Sequence, residues 1–198
     1  MNTRIPTSQR LIYAAIPLIW RHGYNAVSVD AICEAAVANK GSFYHAFRSK
    51  AELLTRAIDV VWQQDGAELT AIVAQPANAA SRLDAYLDWF LDSQRRLSEQ
   101  MGFVPGHFHM AIDINVPEAA AAANAHRLEA RALIQSLLRD ALEERMAPSS
   151  ESDWLADTIG HIVSGLMIEA RLGNSLEPIS ALKPTVHRML DHVSSSAA

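Results

Sequence analysis

Several residue types and patterns are scarce in this chain of 198 residues. It contains one cysteine, Cys33, so it cannot form an internal disulfide, which fits a reducing, cytoplasmic location. No run of 18 apolar residues occurs and the N-terminus lacks the pattern of a signal peptide, so no membrane span or export is predicted. The alternating pattern of β-strands is nearly absent, which argues against every fold class that needs a sheet.

Motifs for catalysis are missing as well. The run His107-Phe108-His109, even when taken with Asp113, His161 or Glu169, has no spacing typical of a metal site. No nucleophile and base are paired in a recognisable motif. We therefore expect no metal, no cofactor and no enzymatic activity.

Charge is unevenly distributed along the chain. The net charge is −5, but residues 1–50 hold six basic and two acidic residues and carry +4, which leaves −9 for the remainder. A small basic segment attached to an acidic body indicates that only the N-terminal segment approaches a polyanion.

Apolar residues recur three and four positions apart almost everywhere, so we predict an all-α protein of about nine helices. Residues 1–50 are expected to form a three-helix domain and residues 51–198 a second helical domain, connected by a long helix over 49–73. Pro17 is expected to kink the first helix. The predicted helices are 7–22, 29–36, 39–46, 49–73, 81–100, 117–146, 152–172 and 178–193.

Residues 40–50 are the most informative part of the sequence. They bring cations, hydroxyls, an imidazole and aromatic rings into two helical turns, and Ser49 with Glu52 forms a capping box for the next helix. A short polar helix joined to a long capped helix is typical of a helix that reads DNA, with Phe43 and Phe47 facing a small core. The preceding helix, capped by Ser28, completes the size of a helix-turn-helix.

Residues 10–58 resemble the DNA-binding domain of tetracycline-repressor (TetR) family regulators. Val37 stands where that family usually has a turn glycine, so we expect a turn of different shape, because a β-branched residue tolerates positive φ badly. Ala46 replaces a residue that is often His or Tyr in the family. The matching positions are Ala14-Ala15, Gly23-Tyr24, Ser28-Val29, Ile32, Glu34-Ala35-Ala36, Lys40-Gly41-Ser42-Phe43-Tyr44, Phe47, Ser49-Lys50 and Leu53-Leu54.

The resemblance implies a homodimeric, ligand-responsive transcriptional regulator, expected to be a repressor that a small molecule releases from a palindromic operator. Asn39 and Ser42 are short and polar enough for base edges, and Lys40 suits a guanine or a phosphate. The remaining DNA-contacting residues are expected to meet phosphates. The predicted DNA-binding set is Ser28, Asn39, Lys40, Ser42, Tyr44, His45 and Lys50.

The body is expected to hold an apolar pocket and the dimer interface. Apolar and aromatic side chains with a few polar partners predict a site for an apolar or aromatic effector. Small residues every four positions in helix 152–172, with an apolar last helix, predict a bundle across a two-fold axis, close packing within one subunit being the alternative. The predicted pocket comprises Trp62, Phe90, Gln94, Phe103, Phe108, His109 and Met110, and the predicted dimer interface Ala156, Gly160, Ser164, Val186 and Met189.

Two alternatives remain at this point. Cys33 could be a redox switch, although its apolar neighbours favour an inert, packed thiol. The whole chain could be an all-helical enzyme or small-molecule carrier whose basic N-terminus is incidental. Specific, salt-sensitive binding to duplex DNA would separate that alternative from a transcriptional regulator.

Overall fold

The computed structural model describes residues 5–113 and 115–196, and the side chains of His109, Met110 and Ser196 lie outside that part. Within these ranges the chain forms nine α-helices and no strand, so the prediction of an all-α fold is confirmed. The helices are α1 Thr7–His22, α2 Val29–Ala35, α3 Lys40–Ala46, α4 Lys50–Val73, α5 Ala79–Met101, α6 Pro117–Glu144, α7 Ser152–Gly173, α8 Glu177–Ser180 and α9 Leu182–Ser196, with 3₁₀ turns at Phe108–Ala111 and Ser149–Glu151.

The chain divides into two compact units. The first, here called the head, comprises Met1–Gln64 and His107–His126, and the second, the body, comprises Asp65–Gly106 and Arg127–Ala198. This division differs from the predicted boundary at residue 50, because the first part of α4 and a segment from much later in the sequence belong to the head. No helix in the described ranges is both long and apolar enough to cross a membrane.

The head is built on the apolar faces of its first four helices. Leu11, Ile19, Ile32, Phe43 and Leu53 have no exposed surface. They stand at helical spacing on α1 to α4, so each short helix buries one stripe against the others. Pro17 is solvent-exposed and α1 continues through it from Thr7 to His22, so it does not end the helix, and the kink stays a prediction.

Side-chain caps begin each helix of the DNA-binding motif. The Ser28 Oγ accepts the Ala31 N–H at 3.0 Å, and the Asn39 Oδ1 accepts the Ser42 N–H at 2.8 Å. At the start of α4, the Ser49 Oγ accepts the Glu52 N–H at 3.1 Å. These bonds satisfy N–H groups that have no partner inside the helix, which fixes where each helix begins.

The turn between α2 and α3 has the geometry of a Schellman motif. The Ala38 N–H donates to the Cys33 carbonyl at 2.8 Å and the Val37 N–H to the Glu34 carbonyl at 3.1 Å. Val37 has a φ of 50°, so it adopts the left-handed conformation that glycine favours. The expectation of a different turn was wrong, because the hydrogen bonds of the motif impose the usual shape on valine.

The body encloses the larger apolar core. Its leucine and isoleucine side chains that are at most 2% exposed come from every helix from α4 to α9. The N-terminus of α5 is capped by the Asn78 side chain and by the Glu144 carboxylate, whose Oε1 accepts the Ala79 N–H at 2.6 Å. Arg131 joins α6 to α7 through ion pairs with Asp153 and Asp157 at 2.7 and 2.5 Å.

Candidate nucleic-acid interface

One side of α3 is exposed while the other is locked into the head core. Phe43 is fully buried and Phe47 is 5% exposed, and their ring centroids lie 5.8 Å apart, so the prediction that these two rings belong to the core is confirmed. The opposite side presents a cation, an imidazole, a phenol and a bare backbone. This side is called the reading surface and consists of Lys40, Gly41, Tyr44 and His45, of which Tyr44 is 58% exposed.

Lys40 is positioned by an ion pair with α2. Its Nζ lies 2.9 Å from the Asp30 Oδ1, and both side chains are more than half exposed. The hydrogen bond and charge of Asp30 raise the pKa of Lys40, so the ammonium is firmly charged. Because both side chains are exposed to solvent, the ion pair is weak, and a phosphate or guanine can replace Asp30 at little cost.

Ser28, Asn39 and Ser42 have defined local roles. Ser28 and Asn39 are exposed and their side-chain oxygens accept backbone N–H groups as caps. Ser42 is half-buried and gives its N–H to the Asn39 cap. The capping bonds use one side-chain oxygen each, so the Asn39 amide nitrogen and both hydroxyl groups retain hydrogen-bonding capacity at the edge of the reading surface.

Lys50 is directed inward instead of toward solvent. Its Nζ donates to the carbonyls of Tyr24 and Val27 at 2.9 and 2.8 Å and lies 4.0 Å from the centroid of the Tyr24 ring. Burial lowers the pKa of Lys50, an effect that the charge of Asp113 opposes. The ammonium predicted to contact a phosphate therefore ties the start of α4 to the loop before α2, a role that depends on carbonyls the sequence pattern does not reveal.

The residues predicted to form one effector pocket are distributed over both units. In the head, Trp62 packs edge-on to His126 with centroids 5.5 Å apart, and Phe108 packs edge-on to Trp20 at 5.0 Å. In the body, Phe90 is buried and the Gln94 Oε1 is buried without a hydrogen-bond partner. Phe103 is half-buried, whereas the His109 and Met110 side chains lie outside the described part. Phe108 is thus buried in the head, apart from the predicted pocket residues of the body.

A cleft of about 400 Å³ lies in the body between α5, α8 and α9. Apolar side chains cover most of its walls, and Phe90 is the member of the predicted pocket that lines it. At its rim the Lys183 Nζ meets the Asp88 Oδ1 at 2.8 Å. The size and the few polar groups are those of a small-molecule site. The lining residues are Leu87, Asp88, Phe90, Leu91, Ile179, Ser180, Leu182, Lys183, Pro184 and His187.

The predicted dimer residues do not share one exposed face. Ala156 and Val186 are 4% and 1% exposed and pack in the core of the body. Met189 and Ser164 are half-buried, and Gly160 is exposed. A side chain at Gly160 would meet nothing within 4 Å, so its small size is not needed for packing within this chain.

A different stripe of α7 exposes large apolar side chains. Trp154, Ile168 and Leu172 are 53%, 45% and 83% exposed, and they follow a helical spacing with the exposed His161 and Gly165. This set is called the α7 face. The sequence analysis missed it, although a count of apolar residues at three- and four-residue spacing away from the core stripe would have found it.

Two other candidate sites remain without support. In the described ranges, no three histidine, cysteine or acidic residues are grouped as metal ligands would be. Cys33 is 5% exposed, and burial followed by the charge of Asp30 raises the pKa of its thiol. A buried thiol that stays protonated reacts slowly, which favours the packing role.

The α2–turn–α3 unit has the form of a helix-turn-helix: α3 is short, capped and exposes polar groups, and α2 supports it. The chain is therefore a helix-turn-helix protein with a helical body. Residues 11–57 match the family described as bacterial regulatory proteins, tetR family. Together with the relatives and solved structures below, this match supports a transcriptional regulator whose residues 11–57 resemble the tetR family.

The chain is similar to several known proteins. It is 33% identical over 98 residues to the transposon Tn10 TetC protein of Escherichia coli, covering 46% of this chain and 48% of that protein. It is 24% identical over 180 residues to the HTH-type transcriptional repressor ComR of E. coli K12, and the match covers 88% of this chain and 84% of ComR. The crystal structure of regulatory protein TetR from Rhodobacter sphaeroides has a TM-score of 0.75 at 25% identity, covering 91% and 96%.

The match to the Tn10 protein is partial, because the chain spans about half the length of that protein. The likeness to ComR and to the Rhodobacter structure extends over the head and the body. The match to the family therefore lies in the head, and the likeness of the body to the solved structure shows that the two share a fold.

Proposed function

We propose that this chain is a ligand-responsive transcriptional repressor without enzymatic activity, which binds a palindromic duplex operator as a homodimer. The reading surface carries the proposal: a cation, an imidazole and a phenol stand exposed on a short helix whose other side is locked by Phe43 and Phe47. The name of the relative ComR, an HTH-type transcriptional repressor, supports repression rather than activation.

The DNA contacts follow from the chemistry of the reading surface. Lys40 would exchange Asp30 for a guanine edge or a phosphate, and Tyr44 and His45 would donate to phosphates. Asn39 and Ser42, at the start of α3, are placed for base edges. Two heads of a dimer would occupy successive major grooves, whose centres are roughly 34–36 Å apart.

The dimer would form through the α7 face. Trp154, Ile168 and Leu172 expose apolar surface that a second copy of the chain can cover. Gly165 lies between them in the helical pattern, and a side chain there would meet nothing within this chain, so the position allows a partner helix to approach closely. A two-fold axis would bring the same face of both copies together.

The effector would occupy the cleft between α5, α8 and α9. The walls suit an apolar or aromatic molecule, and the paired charges of Lys183 and Asp88 offer polar contacts at the rim. An effector releases DNA only if it binds the DNA-free form more tightly than the DNA-bound form. The factor by which the effector lowers the affinity for DNA then equals the factor by which DNA lowers the affinity for the effector, typically about 5–150-fold.

The DNA-binding proposal is tested with duplexes selected from a random pool by repeated binding to the full chain. Lys40→Ala should weaken binding to all duplexes and reduce the slope of log affinity against log salt by about 1, because one phosphate contact is lost. Ser42→Ala should instead change base preference. Arg188→Ala removes an exposed cation from the body and serves as the control, with unchanged affinity expected.

Two results would contradict the proposal. Selection that enriches no sequence would favour the enzyme or carrier alternative, and equal affinity of the Lys40→Ala variant and the Arg188→Ala control would remove the reading surface from the interface.

For the effector, calorimetry with aromatic compounds is run with and without a selected duplex. Ser180→Trp should obstruct the cleft and abolish the heat of binding, while Ser180→Ala should preserve it.

A further inference from the structure

A segment far from the helix-turn-helix in sequence is built into the head. Residues 107–113, here called the strap, belong to the head, whereas the residues immediately before them belong to the body. The apolar end of the strap is anchored by Phe108, which is 6% exposed and packs edge-on to Trp20 at 5.0 Å. Trp20 lies in the last turn of α1, so the strap is fixed beside the point where α1 ends.

The other end of the strap makes polar bonds to the loop that follows α1. The Tyr24 N–H donates to the Ala111 carbonyl at 3.1 Å, and the Asn25 Nδ2 donates to the Asp113 Oδ2 at 2.7 Å. The second carboxylate oxygen, Oδ1, accepts the backbone and side-chain N–H groups of Asn115, both at 2.8 Å. These bonds, with the Asn115 backbone first, hold the pKa of Asp113 below its usual range, so the carboxylate is an ionised acceptor at neutral pH.

The loop held by the strap is where three elements of the head meet. Residues 23–28, here called the corner, connect the end of α1 to the Ser28 cap of α2. Lys50, the first residue of α4, donates to the corner carbonyls of Tyr24 and Val27. Tyr24 is thus held at its N–H by the strap and at its carbonyl by α4. The corner therefore sets the start of α2, on which the Schellman turn and the reading helix depend.

We propose that Asp113 is a positioning residue for DNA binding, acting through its hydrogen bond to Asn25, and this inference rests on the proposed function. The Phe108 contact is buried, whereas the Asp113–Asn25 bond is exposed, so water can compete for it. With the bond closed, the corner holds α2 and α3 in the arrangement that meets DNA. With the bond open, a smaller fraction of molecules is competent to bind DNA, so the apparent affinity for DNA falls in proportion to that fraction.

Single and double variants test whether the two residues act together. Asp113→Ala and Asn25→Ala should each weaken binding of the full chain to a selected duplex by about fivefold, the effect expected from one exposed hydrogen bond to a carboxylate. The double variant should lose no more than either single variant, because both remove the same bond. The salt slope should stay unchanged in all three, since no phosphate contact is altered.

Controls separate positioning from charge and from stability. Glu118→Ala removes an exposed carboxylate five residues after Asp113 and should leave DNA affinity unchanged. Binding is measured at a temperature where circular dichroism shows each variant fully helical, so a change in global stability alone would not alter the affinity.

An exchange of the two side chains provides the rescue. Asn25→Asp alone places two carboxylates together and should weaken binding further than Asn25→Ala. Combining Asn25→Asp with Asp113→Asn restores an amide donor facing a carboxylate and should recover most of the lost affinity.

Three results would overturn the inference. Single and double variants that bind as tightly as the unchanged chain would refute the positioning role while leaving the proposed function intact, and so would an exchange that brings no recovery. A failure of the unchanged chain to bind any selected duplex would overturn both the proposed function and this inference.

Discussion

Replacing Val37 by glycine should stabilise the protein. Val37 occupies the left-handed position of the Schellman turn with a φ of 50°, a conformation that costs a non-glycine residue about 1–2 kcal/mol. Its side chain is 83% exposed, so its removal sacrifices little buried surface. Glycine is more flexible in the unfolded chain, which offsets about 0.5–1 kcal/mol of the gain. The expected net increase in the free energy of unfolding is therefore about 0.5–1 kcal/mol.

The measurement is thermal and urea unfolding followed by circular dichroism. A gain of this size corresponds to a rise in Tm of roughly 1–4 °C for a chain of this length that unfolds as one unit. Val37→Ala is the matched control, since it removes the β-branch but keeps Cβ in the strained conformation, and it should gain less than Val37→Gly. A Val37→Gly protein that unfolds at the same or a lower temperature than Val37→Ala would refute the strain argument.

Three other predictions follow from the sites described above. Asp30→Asn should strengthen binding to all duplexes about two- to fivefold in gel shifts, because Lys40 loses its internal partner and a negative charge leaves the interface; weaker binding would show that Asp30 is needed to orient Lys40. Gly165→Leu should give monomers in ultracentrifugation while Gly160→Leu, at the edge of the buried side, remains dimeric; two stable dimers would exclude the α7 face. Native Cys33 should react with iodoacetamide at pH 8 about tenfold or more slowly than in urea, because burial raises its thiol pKa, and equal rates would contradict its burial.

The helices could be predicted from the sequence because their determinants are local. Capping residues and apolar spacing act within one or two turns, and they placed α1 at residues 7–22 as observed. The last predicted helix, 178–193, is instead divided into α8 and α9, a break at Ala181 that the apolar spacing does not reveal.

Side-chain roles that depend on distant backbone could not be predicted. Lys50 has the composition of a phosphate ligand, but its partners are two carbonyls in the corner, more than twenty residues earlier. Phe108 was placed in an effector pocket because its neighbours in sequence are aromatic or polar, whereas its partner in the structure is Trp20. Sequence proximity is weak evidence for a shared cavity when a loop returns to another unit.

The residues predicted for the dimer interface differ in burial for a geometric reason. Residues four positions apart on a helix of 3.6 residues per turn rotate by about 40° at each step. The series Ala156, Gly160, Ser164 therefore includes a buried, an exposed and a half-buried position, and it marks no single face. Trp154, His161, Gly165 and Leu172 are seven, four and seven residues apart, and these steps keep nearly the same direction on the helix.

The internal bonds of the basic residues have a consequence for how the protein finds its site. Arg10 donates to the carbonyls of Ala36 and Val37, and Lys50 donates to the corner. At least two of the basic side chains in residues 1–50 are thus already engaged before any nucleic acid arrives. Fewer phosphates are then neutralised, and fewer counterions displaced, when the protein meets arbitrary chromosomal sequence. Non-specific binding is therefore weaker, and more molecules remain in solution to find the specific site.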